Sequence, residues 1–209
     1  KDEKTAESLK PYYNQFCKRP CFHDEYLDTF NRPNVELVDT DGKGLEEISE
    51  NGIVFNGKEY EVDCIIFATG FEVGTEYSRR AGYQIHGVDG KTVTQKWQNG
   101  LATFHGMHSR GFPNAFFFGP AQSGFTATYT YSLDEQSIHL AYILEKIIDK
   151  GATRVEASQE AEEQWIQTII EKARLTADFQ ENCTPGYYNN EGKINQTPQN
   201  NTYGGGPIE

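Results

Sequence analysis

The segment Asp63–Phe71 has the sequence Asp-Cys-Ile-Ile-Phe-Ala-Thr-Gly-Phe, and it decides the expected fold class. Residues 64–68 are apolar without alternation, which is typical of a strand buried on both faces inside an α/β sheet. The small residues Ala68, Thr69 and Gly70 would let a ligand or a neighbouring domain approach the backbone at the end of that strand. An ordinary exit from strand to turn has the same composition, so this segment alone leaves both interpretations open.

A second apolar run, Ala115–Phe118, lies further along the chain and ends at Gly119-Pro120. Apolar residues then recur at helical spacing from about Ser132 to Lys150. A strand that leads through a loop into a helix N-terminus offers free N–H groups to an anion. Turn signals at Asn51-Gly52 and Asn56-Gly57 predict a small antiparallel meander, so we expect an α/β chain.

The composition excludes several classes of partner. The 209 residues include 19 Lys and Arg against 31 Asp and Glu, a formal net charge of −12. Because phosphate backbones and anionic lipids need a basic surface, we predict no nucleic-acid partner and no membrane partner. No apolar run approaches the roughly 20 residues that span a bilayer, and no apolar leader is visible, so we expect a cytoplasmic protein. The five histidines lack the spacing of metal ligands, and no metal site is predicted.

Several segments in a fixed order make the pattern specific. Asp63–Phe71 is followed by Gly111–Pro120, which has the sequence Gly-Phe-Pro-Asn-Ala-Phe-Phe-Phe-Gly-Pro. The accompanying segments are Cys17-Lys18-Arg19-Pro20, Tyr26, Phe30-Asn31-Arg32, Asn34-Val35 and Lys96-Trp97-Gln98-Asn99-Gly100. Together they resemble the C-terminal half of flavin-containing monooxygenases of the Baeyer–Villiger type, over about residues 11 to 193. The loop Gln122–Thr126 and Asp134-Glu135-Gln136 resemble the branch that acts on large cyclic ketones, including fungal members.

The resemblance implies a two-domain flavoprotein of Rossmann-like architecture, with one dinucleotide-binding domain for FAD and one for NADP. Residues 1–70 would then be the end of the NADP-binding domain, including the small meander. Residues 71–209 would be the C-terminal part of the FAD-binding domain plus a polar tail. The glycine motifs that hold both nucleotides in this family do not occur in the sequence. We therefore expect them upstream of Lys1, in a remainder of the same polypeptide that acts as the partner of this chain.

The resemblance also implies an activity, the insertion of one oxygen atom of O2 next to a ketone carbonyl, with NADPH as reductant. Arg19 is the expected catalytic residue, placed over the flavin. A fixed guanidinium there would stabilise a flavin peroxide and then the oxyanion formed from the ketone, and it keeps its charge at working pH. From composition alone, a surface arginine on an acidic protein is the competing interpretation.

The remaining site residues follow from the same resemblance. Lys18 would meet the 2′-phosphate of NADPH, and Tyr129 would lie beside the flavin ring. The further cofactor-binding positions are Ala68, Thr69, Gly70, Gly119 and Pro120. The ketone pocket would be lined by Gln122, Ser123, Gly124, Phe125 and Thr126. Phe125 is the expected apolar wall, although a Phe in the protein core has the same sequence signature.

One segment departs from the family and two other functions stay open. Near the C-terminus the family often carries Trp-Tyr-x-Gly-Ala-Asn, whereas this chain has Cys183–Lys193 without the Trp. Tyr187 could replace it, and the change would suit a different range of substrates. The alternative functions are a heteroatom monooxygenase, which oxidises amines or sulfides on the same fold, and a non-catalytic flavoprotein or scaffold fragment.

The assignment of Lys18 gives a testable difference between two reductants. In the full-length protein, Lys18→Ala should raise the KM for NADPH, because a hydrogen bond to a charged group contributes about 1.5–3 kcal/mol. That free energy corresponds to about a tenfold to hundredfold change. NADH, which lacks the 2′-phosphate, is the internal control in steady-state assays of its oxidation. Equal changes in the KM values for NADPH and NADH would show that Lys18 does not bind the 2′-phosphate.

Overall fold

The computed structural model describes residues 2–15, 17–71, 77–124, 126, 128–173, 181–186, 189, 192 and 197–206. The chain forms two compact units, Lys1–Phe71 and Glu72–Glu209. The first unit contains α1 (Glu3–Ser8), α2 (Tyr26–Thr29), β1 (Glu47–Ile48), β2 (Gly52–Phe55) and β3 (Lys58–Glu61). The second contains α3 (Tyr77–Ala81), α4 (Val93–Lys96), α5 (Tyr129–Asp149), α6 (Gln159–Glu171) and the 3₁₀ turns Val88–Gly90 and Pro198–Asn200.

The meander predicted for the first unit is confirmed. Its three strands are antiparallel in the order β1-β2-β3, with Ile53 opposite both Ile48 and Tyr60. Asn56 and Gly57 join β2 to β3 with φ values of +53° and +71°. Positive φ at both central residues is the requirement of the tight hairpin turn that matches the twist of the strands, and Asn-Gly satisfies it.

The two apolar runs are not strands among the described residues, and this part of the prediction is wrong. Residues 64–68 pair with no strand, and Ile66 and Phe67 are 86% and 69% exposed. Residues 115–118 also lie outside any sheet, although Phe117 is buried. A strand exists only where a neighbour supplies the ladder hydrogen bonds, and an apolar run does not specify that neighbour.

The second unit is built on a small aromatic cluster. Val93, Phe112 and Phe117 are buried together, and Tyr77 and Trp97 pack against them. The ring centroids of Trp97 and Phe117 lie 5.0 Å apart in an edge-to-face arrangement, which is a favourable geometry for aromatic pairs. A packing role, which is the more common one for a lone Trp, is confirmed for Trp97.

The bounds of helix α5 agree with the prediction, but the residues that the helix buries do not. It begins three residues before the predicted Ser132 and ends one before Lys150. Its buried residues are Ser132 and Gln136, whereas Leu144 and Ile148 are 43% and 76% exposed. Helical spacing identifies an apolar stripe, but no described element of this unit covers the stripe. None of the described helices has the combination of length and apolar character needed to cross a membrane.

Helix α6 and the last described segment complete the unit. The Ser158 hydroxyl accepts a hydrogen bond from the Ala161 N–H at 3.1 Å and caps α6, and Ile169 is fully buried. Residues 197–206 were expected to be part of a polar tail. They are packed instead, because Tyr203 is only 8% exposed and its N–H donates to the Ser123 carbonyl at 2.8 Å.

Close packing at Gly52 makes the meander sensitive to one methyl group. A Cβ atom there would lie 2.0 Å from the Tyr60 carbonyl oxygen. Gly52→Ala should therefore lower the melting temperature, with an overpacking cost of about 1–3 kcal/mol. The matched control is Glu47→Ala, which introduces the same side chain at an exposed position of the same meander. Equal melting temperatures for both variants, by circular dichroism of the full-length protein, would contradict this.

Candidate functional site

The carbonyl of Gly119 is bound by two side chains, one from helix α5 and one from the loop that follows the turn. The Gln136 Nε2 atom donates to the Gly119 carbonyl at 3.0 Å, and the Ser123 hydroxyl donates to the same oxygen at 2.8 Å. Both lone pairs of the carbonyl are then used. This arrangement fixes two of the predicted positions, Gly119 and Ser123, relative to the start of α5. A Cβ atom at Gly119 would meet nothing within 4 Å, so the turn has open space on that side.

The amide oxygen of Gln136 is buried without a hydrogen-bond partner among the described residues. Its orientation is determined, because the nitrogen of the amide must face the Gly119 carbonyl. An unsatisfied buried acceptor costs about 1–3 kcal/mol, which favours a ligand or further protein that can donate to it. Sequence analysis missed this role. The signal was the position of Gln136 four residues after Ser132 and four before Leu140, on the helix face that turns inward.

The N-terminus of α5 is open to an electron-rich group. Thr128 is the N-cap residue, its side chain makes no capping hydrogen bond, and the first turn carries no acidic residue. Tyr129, the first helical residue, is 42% exposed. The free N–H groups and the partial positive charge of a helix N-terminus stabilise negative charge, and here no described carboxylate in the first turn neutralises them.

The predicted ketone loop is anchored from inside the unit. Gln122 is fully buried, and all hydrogen-bonding positions of its amide are taken by the protein, so its side chain has no polar atom left for a substrate. Ser123 is 7% exposed, and Gly124 forms a parallel bridge with Tyr203. The Thr126 hydroxyl accepts a hydrogen bond from the Thr128 N–H at 3.2 Å. Phe125, the expected apolar wall, lies outside the described residues, as does Tyr187.

The other predicted residues belong to the first unit. Lys18 is half-buried, whereas the side chain of Arg19 is exposed. Ala68, Thr69 and Gly70 are also exposed, and Gly70 has φ of +91°, a conformation that favours glycine. The roles of these five residues toward cofactor and substrate stay predictions.

A buried ion pair, which the sequence analysis missed, supports the second unit. Lys96 Nζ lies 2.7 Å from Glu162 Oε2, with the two side chains 19% and 6% exposed. The other carboxylate oxygen of Glu162 accepts the Arg110 backbone N–H at 2.8 Å. Glu162 stands seven residues before Ile169 and so shares its inward helix face, which is the signal that sequence offered.

Two histidines of the second unit are poor proton acceptors. Burial lowers the pKa of His108 to about 4, with a further contribution from the nearby His139 and His105. Burial also lowers the pKa of His105, and His139 adds to that effect. The His108 ring packs against Phe116 with centroids 5.1 Å apart. Within the described ranges, no group of three or more His, Cys, Asp or Glu residues could hold a metal ion.

A cavity of about 490 Å³ lies elsewhere in the second unit, between the turn at Val88 and the start of α6. Charged residues line much of it: Asp89, Lys91, Lys96, Arg110, Arg154, Glu156, Glu162 and Glu163. None of the residues predicted to contact the ketone lines this cavity. Its charged walls are also a poor match for an apolar ketone.

No protein-family model matches the chain. Several named proteins, however, are similar to it over most of its length. The chain is 50% identical over 210 residues to neopentalenolactone D synthase of Streptomyces avermitilis, a match that covers 99% of this chain and 35% of that protein. It is 47% identical over 196 residues to Baeyer–Villiger monooxygenase ATR8 of Stachybotrys chlorohalonatus, with 94% of this chain and 31% of that protein covered. The chain is homologous to the C-terminal third of Baeyer–Villiger monooxygenases.

Solved structures agree with this homology. Polycyclic ketone monooxygenase from the fungus Thermothelomyces thermophila superposes with a TM-score of 0.86 at 40% identity, over 97% of this chain and 33% of that one. OTEMO in complex with FAD and NADP superposes with a TM-score of 0.70 at 30% identity, over 82% of this chain and 32% of that one. The chain thus spans about a third of the length of these relatives.

The low pKa of His108 predicts acid sensitivity of the fold. An unfolded histidine takes up a proton near pH 6.5, whereas folded His108 stays neutral until about pH 4. In that interval the unfolded chain binds more protons, so the free energy of unfolding falls as the pH falls from about 6.5 toward 4. His108→Gln should flatten this dependence, measured as urea midpoints at pH 7 and pH 5. The exposed His86 provides the control His86→Gln, which should keep the wild-type slope.

Proposed function

We propose that this chain is the C-terminal part of a longer FAD- and NADPH-dependent monooxygenase that converts ketones to esters or lactones. One atom of O2 enters the bond between the carbonyl carbon and its neighbour. The other atom leaves as water, and NADPH supplies the two electrons. The observation that carries the proposal is the hydrogen-bonded assembly of Gly119, Ser123 and Gln136, in a chain that is similar over 94% of its length to Baeyer–Villiger monooxygenase ATR8.

The groups at the start of α5 fit the pyrimidine edge of a flavin. That edge carries both N–H donors and carbonyl acceptors, and it becomes more negative on reduction. The buried Gln136 amide oxygen requires a donor, the uncapped helix N-terminus favours an electron-rich edge, and Gly119 leaves room for a ring. When bound, FAD supplies the transfer of two electrons from NADPH to O2. Tyr129 is proposed to contact the ring, and its 42% exposure supports this role.

Two residues of the first unit also have proposed roles in the chemistry. Arg19 is the proposed catalytic residue, whose guanidinium stabilises the negative charge that develops on oxygen as the ketone reacts. Lys18 is proposed to bind the 2′-phosphate of NADPH as a point charge. Support for both cofactors comes from OTEMO, a structural relative solved with FAD and NADP. Ala68, Thr69 and Gly70 are proposed to approach the cofactors through their exposed backbone.

The proposed partner of the chain is the upstream part of the same polypeptide. Ile66, Phe67 and Phe71 are 86%, 69% and 85% exposed, and Ile148 on α5 is 76% exposed. Large apolar side chains in such clusters indicate surfaces that other protein covers. The relatives are about three times as long as this chain, which provides enough protein to cover them. In this arrangement residues 1–70 finish the NADP-binding domain and residues 71–209 finish the FAD-binding domain.

Arg19→Ala tests the activity directly. In the full-length protein the variant should fold and keep its FAD absorbance, but lactone formation from cyclopentadecanone should fall by about 10²–10³ or more, the loss typical of one oxyanion donor. NADPH should still be oxidised, with hydrogen peroxide as the product. Lactone is measured by gas chromatography, peroxide by a peroxidase-coupled assay, and flavin by visible absorbance.

Arg80→Ala is the matched control, because Arg80 is an exposed arginine of α3. It should leave lactone formation unchanged. Arg19 would lose its assigned role if Arg19→Ala made lactone within about tenfold of wild type, which is less than the loss of a single oxyanion donor. Full-length wild-type protein that binds no FAD, or that oxidises amines or sulfides but no ketone, would contradict the proposed function itself.

A further inference from the structure

Gln122 is a buried connector between three distant segments of the second unit. Its amide nitrogen donates to the Leu101 carbonyl at 2.9 Å and to the Gln199 carbonyl at 2.7 Å. Its amide oxygen accepts the Thr103 N–H at 3.1 Å and also the Thr103 hydroxyl. Two donors and two acceptor positions are thereby all satisfied, at a residue with no exposed surface.

The backbone around Gln122 is bound to the same distant segment. The Gln122 N–H donates to the Asn201 carbonyl at 3.2 Å, and the Ser123 carbonyl accepts from the Tyr203 N–H at 2.8 Å. Gly124 and Tyr203 form a parallel bridge. We call residues 197–206 the C-terminal strap and residues 122–124 the substrate loop. The strap thus runs alongside the loop as a paired strand would.

The strap is itself anchored on both sides. Asn200 Oδ1 accepts the Leu101 N–H at 2.7 Å, which ties the strap to the segment after Trp97. The Tyr203 hydroxyl receives a hydrogen bond from Lys172 Nζ at 2.8 Å, next to the end of α6. The Tyr203 ring also packs on Trp165 of α6, with centroids 5.1 Å apart. These contacts hold the strap independently of the loop.

Helix α6 contacts the loop as well as the strap. The Trp165 indole N–H donates to the Gln122 carbonyl at 3.0 Å. The strap also lies very close to the backbone at Gly100. The φ of Gly100 is +123°, and a Cβ atom there would lie 2.5 Å from the Thr197 methyl carbon and 2.6 Å from the Gln199 amide nitrogen. The glycine that ends Lys96–Gly100 is therefore required for the strap to lie against the chain.

We propose that Gln122 is a positioning residue, through which the C-terminal strap fixes the substrate loop and so determines which ketones the enzyme accepts. The part of this inference that concerns ketones rests on the proposed function. The loop residues Ser123 and Gly124 are bonded on one side to the Gly119 turn and on the other side to the strap. A change in strap position therefore moves the loop relative to the turn that is proposed to hold the flavin.

Only an amide side chain at position 122 can make all of these hydrogen bonds, because it provides both donors and acceptor positions. Leucine at position 122 has a similar volume but removes the acceptor of both Thr103 donors and the amide donor to the Gln199 carbonyl. The Leu101 carbonyl keeps only the bond from the Gln199 amide nitrogen at 2.8 Å. A glutamate cannot donate to the two carbonyls, and its charge would be buried. The structure therefore predicts that neither replacement keeps the loop fixed, although the rest of the unit retains its aromatic cluster and its ion pair.

The test uses the full-length enzyme with FAD and compares Gln122→Leu with the control Gln167→Leu, an exposed glutamine of α6. Amide hydrogen exchange is followed by mass spectrometry in peptides that cover 119–126 and 197–206. In Gln122→Leu both peptides should exchange at least about tenfold faster, as expected for a local opening that has lost its bonds. The control should match wild type, and so should peptides from the meander.

Kinetics with two ketones, cyclohexanone and cyclopentadecanone, provide the second measurement. Gln122→Leu should raise the KM for cyclopentadecanone by about tenfold or more and change the ratio of kcat/KM for the two ketones, while the KM for NADPH shifts by less than about twofold. More NADPH should be consumed per lactone formed. If Gln122 only stabilised the fold, Gln122→Leu would lower the melting temperature without changing the ratio of kcat/KM for the two ketones.

Defined results overturn the inference. If exchange in 119–126 stays at the wild-type rate in Gln122→Leu, the connector does not fix the loop. If exchange rises but the ketone ratio is unchanged, Gln122 stabilises the unit and does not position the substrate. Should Gln122→Leu fail to fold, Tyr203→Phe removes the hydrogen bond from Lys172 Nζ to the strap, and an unchanged ketone ratio in that variant overturns the proposal too. Wild-type enzyme that makes no lactone would refute the proposed function, while the exchange data still decide whether strap and loop are coupled.

Discussion

The buried carboxylate of Glu162 is the interaction on which the second unit depends. It joins Lys96 of α4 at 2.7 Å and the Arg110 backbone at 2.8 Å to helix α6. Because little water surrounds the pair, each charge is stabilised mainly by the other. Removing one partner of such a buried pair typically lowers the free energy of unfolding by about 3–5 kcal/mol. The pair sets the position of α6, which carries Trp165 to the Gln122 carbonyl and ends beside Lys172 and the strap.

The second unit places several polar groups inside and several apolar groups outside. Helix α5 buries Ser132 and Gln136, while Ile138 and Ile148 are 58% and 76% exposed. A helix of an independent domain normally has the opposite arrangement. The buried amides fix the backbone through hydrogen bonds, and the outer stripe is available for packing against the rest of the proposed enzyme. Internal polar contacts thus fix the backbone around the aromatic cluster, whereas the exposed apolar stripe is left for the proposed contact with the rest of the enzyme.

Local features of the fold could be predicted from the sequence, whereas the distant segments with which they pair could not. The spacing of apolar residues predicted α5 within a few residues, and Asn56-Gly57 predicted the hairpin because the turn requires positive φ at both positions. The run at 64–68 failed as a strand because pairing depends on a neighbour that an apolar run does not specify. For the same reason the motif predicted the loop Gln122–Thr126 but gave no indication that the Gln122 side chain binds inside the unit. Its partners at Leu101 and Gln199 are distant in sequence and leave no periodic signal.

The sequence separation in the strap has a consequence for biosynthesis. Gln122 and Gln199 are 77 residues apart, yet their hydrogen bond fixes the loop. At translation rates of about 5–20 residues per second, the loop emerges about 4–15 s before its partner has been made. During that interval its hydrogen-bonding groups are satisfied by water or by chaperones, and the segments that bind the cofactor can already have folded. The part of the protein proposed to discriminate among substrates is thus ordered only after the strap has been made, so a premature stop codon between residues 122 and 199 would remove the partner that fixes the loop.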